Sequence, residues 1–263
     1  MANIHSKNII ITGASYGIGE SLARIIAQKG GNPILIARTE DKLQKLQQQV
    51  IKEFNVRCSY YVVDLTDIES WQACLDRIIA EYSQIDAIIN NAGYGIFKTV
   101  EQTEWEEVER MFQLNVFALI KGTHHLLPHF IQNRHGHVIN IASQAGKIAT
   151  PKSAVYGATK HAVIGFTNAL RLEVENQGVL VTSVNLGPIR TNFYKVADPS
   201  GKYQQSIRKI MLNPEYVANK IVAILFERKR EVNMPQWMNF GSKCYQIFPN
   251  MLERLLKNKF YKK

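Results

Sequence analysis

Tyr156 and Lys160 stand four residues apart in Tyr156-Gly157-Ala158-Thr159-Lys160, the spacing that puts two side chains on one face of a helix. A phenol beside an ammonium is a proton-transfer pair. A free tyrosine titrates at about 10 and a nearby cation favours the phenolate, so Lys160 is expected to draw Tyr156 toward working pH. Such a tyrosine can give or take a proton at a carbonyl or carbinol oxygen. The spacing alone is equally that of a surface tyrosine and lysine one turn apart, so the rest of the chain decides between the two.

The elements that would position this pair are legible as periodicity. Short, near-continuously apolar runs at 8–12, 33–37, 58–63, 87–90, 137–141 and 180–186 read as strands buried on both faces. Between them, 18–29, 40–53, 67–81, 104–130 and 154–176 carry helical periodicity. Strand and helix in alternation predict an α/β fold, a doubly wound parallel sheet of the Rossmann type. No linker, repeat or low-complexity tract divides the chain before Pro235. The expected organisation is therefore a catalytic domain over 1–235 and a basic amphipathic C-terminal extension over 236–263.

Composition narrows the function classes. The 263 residues are 46% hydrophobic, enough for an ordinary globular core and far from a disordered chain. No run approaches the roughly 18 uninterrupted apolar residues of a membrane span, and the run at 9–11 is too short for a signal peptide. A cytoplasmic, unprocessed protein is expected. Cys58, Cys74 and Cys244 are odd in number and far apart, which argues for reduced thiols rather than a disulfide framework or zinc site. His125 and His129 have metal-like helical spacing, but no acid lies between them as in a zinc-protease helix, and no metal is expected.

The net charge of +10 raises the question of nucleic acid, and its distribution answers it. From Gln236 onward six basic residues face one acid, Glu253, so the tail supplies +5 of the total. No nucleic-acid module is recognisable there, and none is expected to bind. Instead Phe248, Met251, Leu252, Leu255, Leu256 and Phe260 form a helical apolar stripe, with Trp237, Phe240 and Tyr245 upstream. Two readings meet this pattern: a stripe packed on the enzyme body or a partner subunit, or a peripheral contact with an anionic membrane surface.

The first strand runs into Thr12-Gly13-Ala14-Ser15-Tyr16-Gly17-Ile18-Gly19. Glycines there let a strand turn sharply into a helix whose N-terminus can hold a pyrophosphate, although the spacing departs from Gly-x-Gly-x-x-Gly. At the end of the second strand an acid would select the ribose hydroxyls of NAD, whereas an arginine accommodates the 2′-phosphate of NADP. The residues are Ala37-Arg38-Thr39, so NADP(H) is favoured over NAD(H). A solvated arginine at a helix start is the plainer alternative.

Further residues fall at successive strand ends: Asp64, Asn90-Asn91-Ala92-Gly93, Ser143, and Gly187-Pro188-Ile189-Arg190-Thr191. Ligands of open parallel sheets bind at those carboxyl ends. With Tyr156-x-x-x-Lys160, the set resembles the short-chain dehydrogenase/reductase (SDR) family over roughly 7–234. The resemblance implies a catalytic group of Asn115, Ser143, Tyr156 and Lys160. It implies a phosphate turn of Gly13, Ser15, Tyr16, Gly17, Ile18 and Gly19, with Arg38 at the ribose and Asp64 and Leu65 near the adenine. Asn90 would lie along the cofactor, with Asn91, Ala92 and Gly93 as contacts, and Pro188, Ile189 and Thr191 would meet the nicotinamide. Asn115, Tyr156 and Lys160 would serve both sets. Gly187-Pro188 inverts the family's usual Pro-Gly order.

In this family the lysine lowers the tyrosine pKa and holds the nicotinamide ribose, the serine hydroxyl meets the developing charge, and the asparagine positions a water. The expected activity is thus NADP(H)-dependent interconversion of a carbonyl and a secondary alcohol. The segment 192–212 falls where the family places its substrate loop, and Phe193, Tyr194, Tyr203, Ile207, Ile210 and Met211 could wall an apolar pocket for a lipophilic small molecule. A homodimer or homotetramer paired through 104–130 and 154–176 is also implied. A catalytically silent NADP(H)-binding regulatory or scaffold protein is the competing class, and the intact four-residue group argues against it.

Overall fold

The computed structural model describes residues 3–260, with side chains described through Leu255. Seven strands, β1 (Asn8–Thr12), β2 (Asn32–Ala37), β3 (Ser59–Val62), β4 (Ala87–Asn90), β5 (Gly136–Ser143), β6 (Val179–Leu186) and β7 (Glu231–Met234), form one sheet in the order β3-β2-β1-β4-β5-β6-β7. Every pairing is parallel. The order reverses between β1 and β4, the topological switch at which such sheets bind ligands.

Alternation along β1 shows how both faces are used. Ile9 and Ile11 join one buried cluster, and Ile10, between them, joins the other. The first cluster is closed by α1 (Gly17–Gln28), α2 (Glu40–Phe54) and α9 (Pro214–Val222), through Leu22, Leu43 and Ile221. The second is closed by α3 (Ile68–Glu81), α5 (Ala118–Gln132) and α6 (Ala154–Glu173), through Trp71, Leu126 and Leu170. Burial of these side chains, at about 1.5–3 kcal/mol for each large one, drives the packing.

Three features depart from the periodicity reading. The long helix expected over 104–130 is α4 (Trp105–Phe112) and α5, joined by a π-helical segment, Gln113–Phe117. The expected substrate loop contains α7 (Phe193–Ala197), α8 (Lys202–Ile207) and a 3-10 turn, Arg208–Ile210. A seventh strand, β7, follows at Glu231–Met234.

The tail forms α10 (Gln236–Ile247) and α11 (Pro249–Phe260). Phe248, Met251 and Leu255 are exposed, while Leu252 turns toward the cleft described below. The side chains of Leu256 and Phe260 lie outside the described residues. Among the described residues no helix is long and apolar enough to cross a membrane.

Candidate active site

The glycine turn is built for close approach. Gly17 has φ +57, and a β-carbon there would lie 2.9 Å from Thr191 Cγ2. A β-carbon on Gly19 would sit 2.2 Å from the Gly13 carbonyl oxygen. A larger residue at Gly19 would push α1 away from the Gly13 turn, and one at Gly17 would meet Thr191. No side chain caps that helix end, so its first-turn amides stay available for an anion. Ser15 and Tyr16 complete the turn, and Lys42 places its ammonium 3.5 Å from the centroid of the Tyr16 ring.

Arg38 and Asp64, expected at separate parts of the cofactor, face each other at 3.5 Å with both side chains substantially exposed. Burial pushes the Asp64 carboxyl up, but hydrogen bonds from Thr66 and the Arg38 charge outweigh it and hold the group below its ordinary value. Leu65 is buried in the core beside Val63 and Trp71, so its side chain is committed to packing. Asn90 is likewise turned inward. Its amide donates to Thr123 Oγ1 at 3.1 Å and to Asn140 Oδ1 at 2.8 Å, so the side chain is engaged by α5 and β5. Asn91 and Gly93 take the cleft wall instead. Thr12 secures this loop by accepting from the amides of Asn91 and Ala92, both at 3.0 Å.

Asn115 comes from the π-helical segment, whose extra residue per turn rotates its side chain toward β4 and α6. Its amide donates to the Tyr94 carbonyl at 2.8 Å and to Thr159 Oγ1 at 3.1 Å, and its oxygen accepts from the Tyr94 amide at 3.0 Å. Behind the cleft it thereby joins the β4 loop to α6, one residue before Lys160. Lys160 is buried and donates to the Ile141 carbonyl at 2.9 Å. Ser143, at the end of β5, donates to the Leu186 carbonyl at 3.2 Å and accepts from the Ala145 amide at 3.1 Å.

The proton chemistry differs from the sequence expectation. Burial pushes the Tyr156 phenol up to about 12, outweighing the downward pull of the Ser143 hydroxyl. Burial brings the Lys160 ammonium down to about 8. Lys160 Nζ lies 5.9 Å from the Tyr156 ring centroid and is engaged by a backbone carbonyl. Desolvation of both groups therefore dominates their attraction. At neutral pH the phenol is a proton donor rather than a phenolate.

Tyr156 stands on the wall of a cleft of about 630 Å³, within the range of small-molecule sites. Ile18, Asn91, Gly93, Ser143, Lys160, Pro188, Ile189 and Thr191 share that cleft with it, linking the glycine turn to the Tyr156 wall. Phe97 meets Tyr156 edge-on at 5.9 Å and also contacts Phe193, Tyr194 and Tyr203. Ile210 lines the cleft too, whereas Ile207 and Met211 pack behind Tyr194. Phe97 escaped sequence reasoning, as did Trp237, Met238 and Tyr245 of α10 and Gln144 beside Ser143. The apolar residues of α10 were the available signal, but periodicity cannot tell which surface they cover.

The histidines have separate partners: His125 meets Asp76 at 2.8 Å, and His135 meets Asp86 at 3.1 Å. His137 is fully buried and bonded to Thr182.

Comparison with known proteins follows the same outline. The family described as short chain dehydrogenase matches residues 7–200. An uncharacterized oxidoreductase of Listeria monocytogenes is 32% identical over 239 residues, covering 89% of this chain and 96% of the relative. A fatty acyl-CoA reductase of Acinetobacter baylyi is 31% identical, covering 88% of this chain and 76% of that protein. Among solved structures, a short-chain dehydrogenase from Sphingobium yanoikuyae in complex with NADPH superposes with a TM-score of 0.80 at 25% identity, covering 93% of this chain and 95% of that one. A Burkholderia phymatum protein in complex with NAD reaches 0.88 at 19% identity, covering 95% and 96%, a likeness of fold alone.

Proposed function

Since the chain belongs to the short-chain dehydrogenase/reductase family, whose members bind a nicotinamide dinucleotide, we propose that it is an NADP(H)-dependent oxidoreductase interconverting a carbonyl and a secondary alcohol on a lipophilic small molecule. The observation that carries this reading is Tyr156 beside Ser143 and Lys160 on a largely apolar cleft continuous with the glycine turn.

The residues present fit the cofactor. A β-carbon at Gly13, Gly17 or Gly19 would crowd the turn where a pyrophosphate would rest, and the uncapped α1 end offers amides to it. Arg38, with Lys42 across Tyr16, supplies cations for a 2′-phosphate. Gly93 and Lys160 bound the region toward the ribose, and Thr191 with Ile189 the region toward the nicotinamide. NADPH, when bound, supplies the hydride.

Everything else falls to the chain. The Tyr156 phenol, neutral at working pH, donates its proton to the carbonyl oxygen as charge develops there. Ser143 Oγ turns its hydrogen from the Leu186 carbonyl toward that oxygen and holds it against the phenol. Lys160, fixed by Ile141, stabilises the phenolate left behind. Asn115 holds the Tyr94 loop and Thr159 in register, which keeps Lys160 close to Gly93, where a β-carbon would lie 3.6 Å from Nζ. Phe97, Phe193 and Tyr203 exclude water and favour an apolar substrate body.

Exposed Trp105, Phe117 and Leu172 on α4, the π-helical segment and α6 support pairing of these surfaces in a homodimer or homotetramer. The function is tested by calorimetric titration with NADPH and NADH, followed by a panel of lipophilic ketones and aldehydes monitored at the NADPH absorbance. Preferential NADPH binding with turnover is expected; tight NADPH binding without turnover across the panel favours a regulatory protein, and binding of neither nucleotide overturns the reading.

A further inference from the structure

Two segments that meet at the mouth of the cleft share an unusual surface. Trp237 and Phe240 of α10 line the cleft yet are 59% and 73% exposed, which places them on its rim. Ile210, at the end of the Arg208–Ile210 turn, also lines the cleft and is exposed, so it stands on the rim as well. From the α10 rim the exposed apolar surface continues through Ile247 and Phe248 to Met251 and Leu255, the last 72% exposed. Leu252, on the same stripe, reaches back into the cleft.

Charge accompanies this surface throughout. Arg208 and Lys209 precede Ile210, Lys243 lies on α10 and Arg254 on α11, all exposed. Over 192–212 and 236–263 the sequence has ten basic residues against two acids, Asp198 and Glu253. Glu253 is bonded by the Tyr245 hydroxyl at 2.7 Å. Among the described side chains of these two segments, six basic residues, Lys195, Lys202, Arg208, Lys209, Lys243 and Arg254, stand against the same two acids. A second copy of the chain is a poor occupant, because two such faces would repel each other. The aromatics of this face, Trp237, Phe240 and Phe248, are interspersed with Met251 and Leu255, not arrayed as successive platforms on which nucleic-acid bases stack. An interface of apolar and aromatic side chains inside a basic field is what an anionic bilayer surface complements.

We propose that the face formed by α10, α11 and the Arg208–Ile210 turn docks on an anionic lipid bilayer, with the cleft mouth against the lipid, so that a lipophilic carbonyl substrate enters from the membrane. The docking stands on the surface itself; the entry route rests on the cleft being the substrate site proposed above. The helices lie on the bilayer rather than across it, since no described helix is long and apolar enough to span.

The test is co-sedimentation of the full-length protein with phosphatidylcholine vesicles containing or lacking phosphatidylserine, at low and high salt. Orientation is read from Trp237 in a Trp105→Phe background, using lipids with brominated chains as quenchers; the remaining Trp71 is fully buried. Binding to the phosphatidylserine vesicles is expected, weakened about tenfold or more by high salt, with Trp237 quenched. Paired Phe248→Glu and Leu255→Glu substitutions, at exposed sites outside the cleft lining, are expected to weaken vesicle binding by about tenfold or more while NADPH affinity is retained. Absence of binding at low salt, equal binding to phosphatidylcholine alone, or binding that leaves Trp237 unquenched overturns the proposal. Vesicle binding is read without turnover, so its failure leaves the oxidoreductase reading intact. Failure of wild-type NADPH binding would strike that reading and the entry route with it, leaving the docking intact.

Discussion

Arg38 is the side chain on which the proposed preference for NADP(H) rests. Its guanidinium is 56% exposed and shared with Asp64, a weak surface pairing that a 2′-phosphate could replace. Arg38→Asp is expected to raise the NADPH dissociation constant by about ten- to a hundredfold while changing that of NADH little, as measured by calorimetry. Equal losses for both would remove phosphate recognition from this residue. Lys160 makes the second residue-scale prediction. Its folded value of about 8 lies below the ordinary 10.5, so its burial cost is borne in full below pH 8 and relieved as pH rises toward 10.5. The same titration removes the cation that supports the Tyr156 phenolate. Ketone reduction is therefore expected to be level below about pH 8 and to fall above it, because the phenol, near 12, keeps its proton throughout. A pH–rate profile that keeps rising from pH 8 to 10 would contradict this assignment.

Elements hold these side chains in place, and two of them can be probed without substituting a residue of the proton relay. A β-carbon on Gly95, in the loop after β4, would lie 2.6 Å from Tyr156 Cδ2 and 3.0 Å from Phe193 Cζ. Gly95→Ala is expected to lower kcat by about tenfold or more with NADPH affinity kept, since the phenol must shift while the glycine turn does not. Under β6 and β7, Lys147 bonds Glu231 at 2.7 Å and Asn233 at 3.0 Å, and Asn185 donates to both. Lys147→Ala leaves Glu231 partly buried without its cation and is expected to cost about 2–3 kcal/mol, seen as a lower urea midpoint at unchanged slope. An unmoved midpoint would show the network to be dispensable. This network also explains why β7 hides in the sequence: Glu231 and Asn233 give a four-residue strand half its positions polar, so it lacks the apolar run that marks β1 or β4. Of the other six strands, β1, β2 and β4 were legible because both their faces are buried and their residues are mostly aliphatic, whereas β3, at the sheet edge, was legible from its aromatic and β-branched residues. The π-helical segment was not, since one inserted residue between α4 and α5 leaves the apolar spacing helical on either side. Tyr156, Ser143, Lys160 and the glycine turn could be found because their types and order along the strands are informative. Phe97 and the α10 residues could not, because what they do depends on tertiary placement alone.

At the scale of the whole molecule, the sheet order brings the two halves of the site together. The switch between β1 and β4 opens a crevice for the glycine turn, and the carboxyl ends of β5 and β6 deliver Ser143 and Pro188 to the same cleft. Far from this end, Asp86 ties the strand starts by accepting from Lys7 at 2.9 Å and from the Asn8 amide at 2.8 Å. The tail then closes the open side of the cleft through Met238, Tyr245 and Leu252. In the proposed function, Tyr156 is the group that completes carbonyl reduction. The most direct test is NADPH-dependent reduction of a lipophilic ketone by the wild type and by Tyr156→Phe, with NADPH affinity measured on both. The account predicts that turnover falls by about a hundredfold or more while NADPH affinity is preserved. Turnover retained by Tyr156→Phe would contradict it.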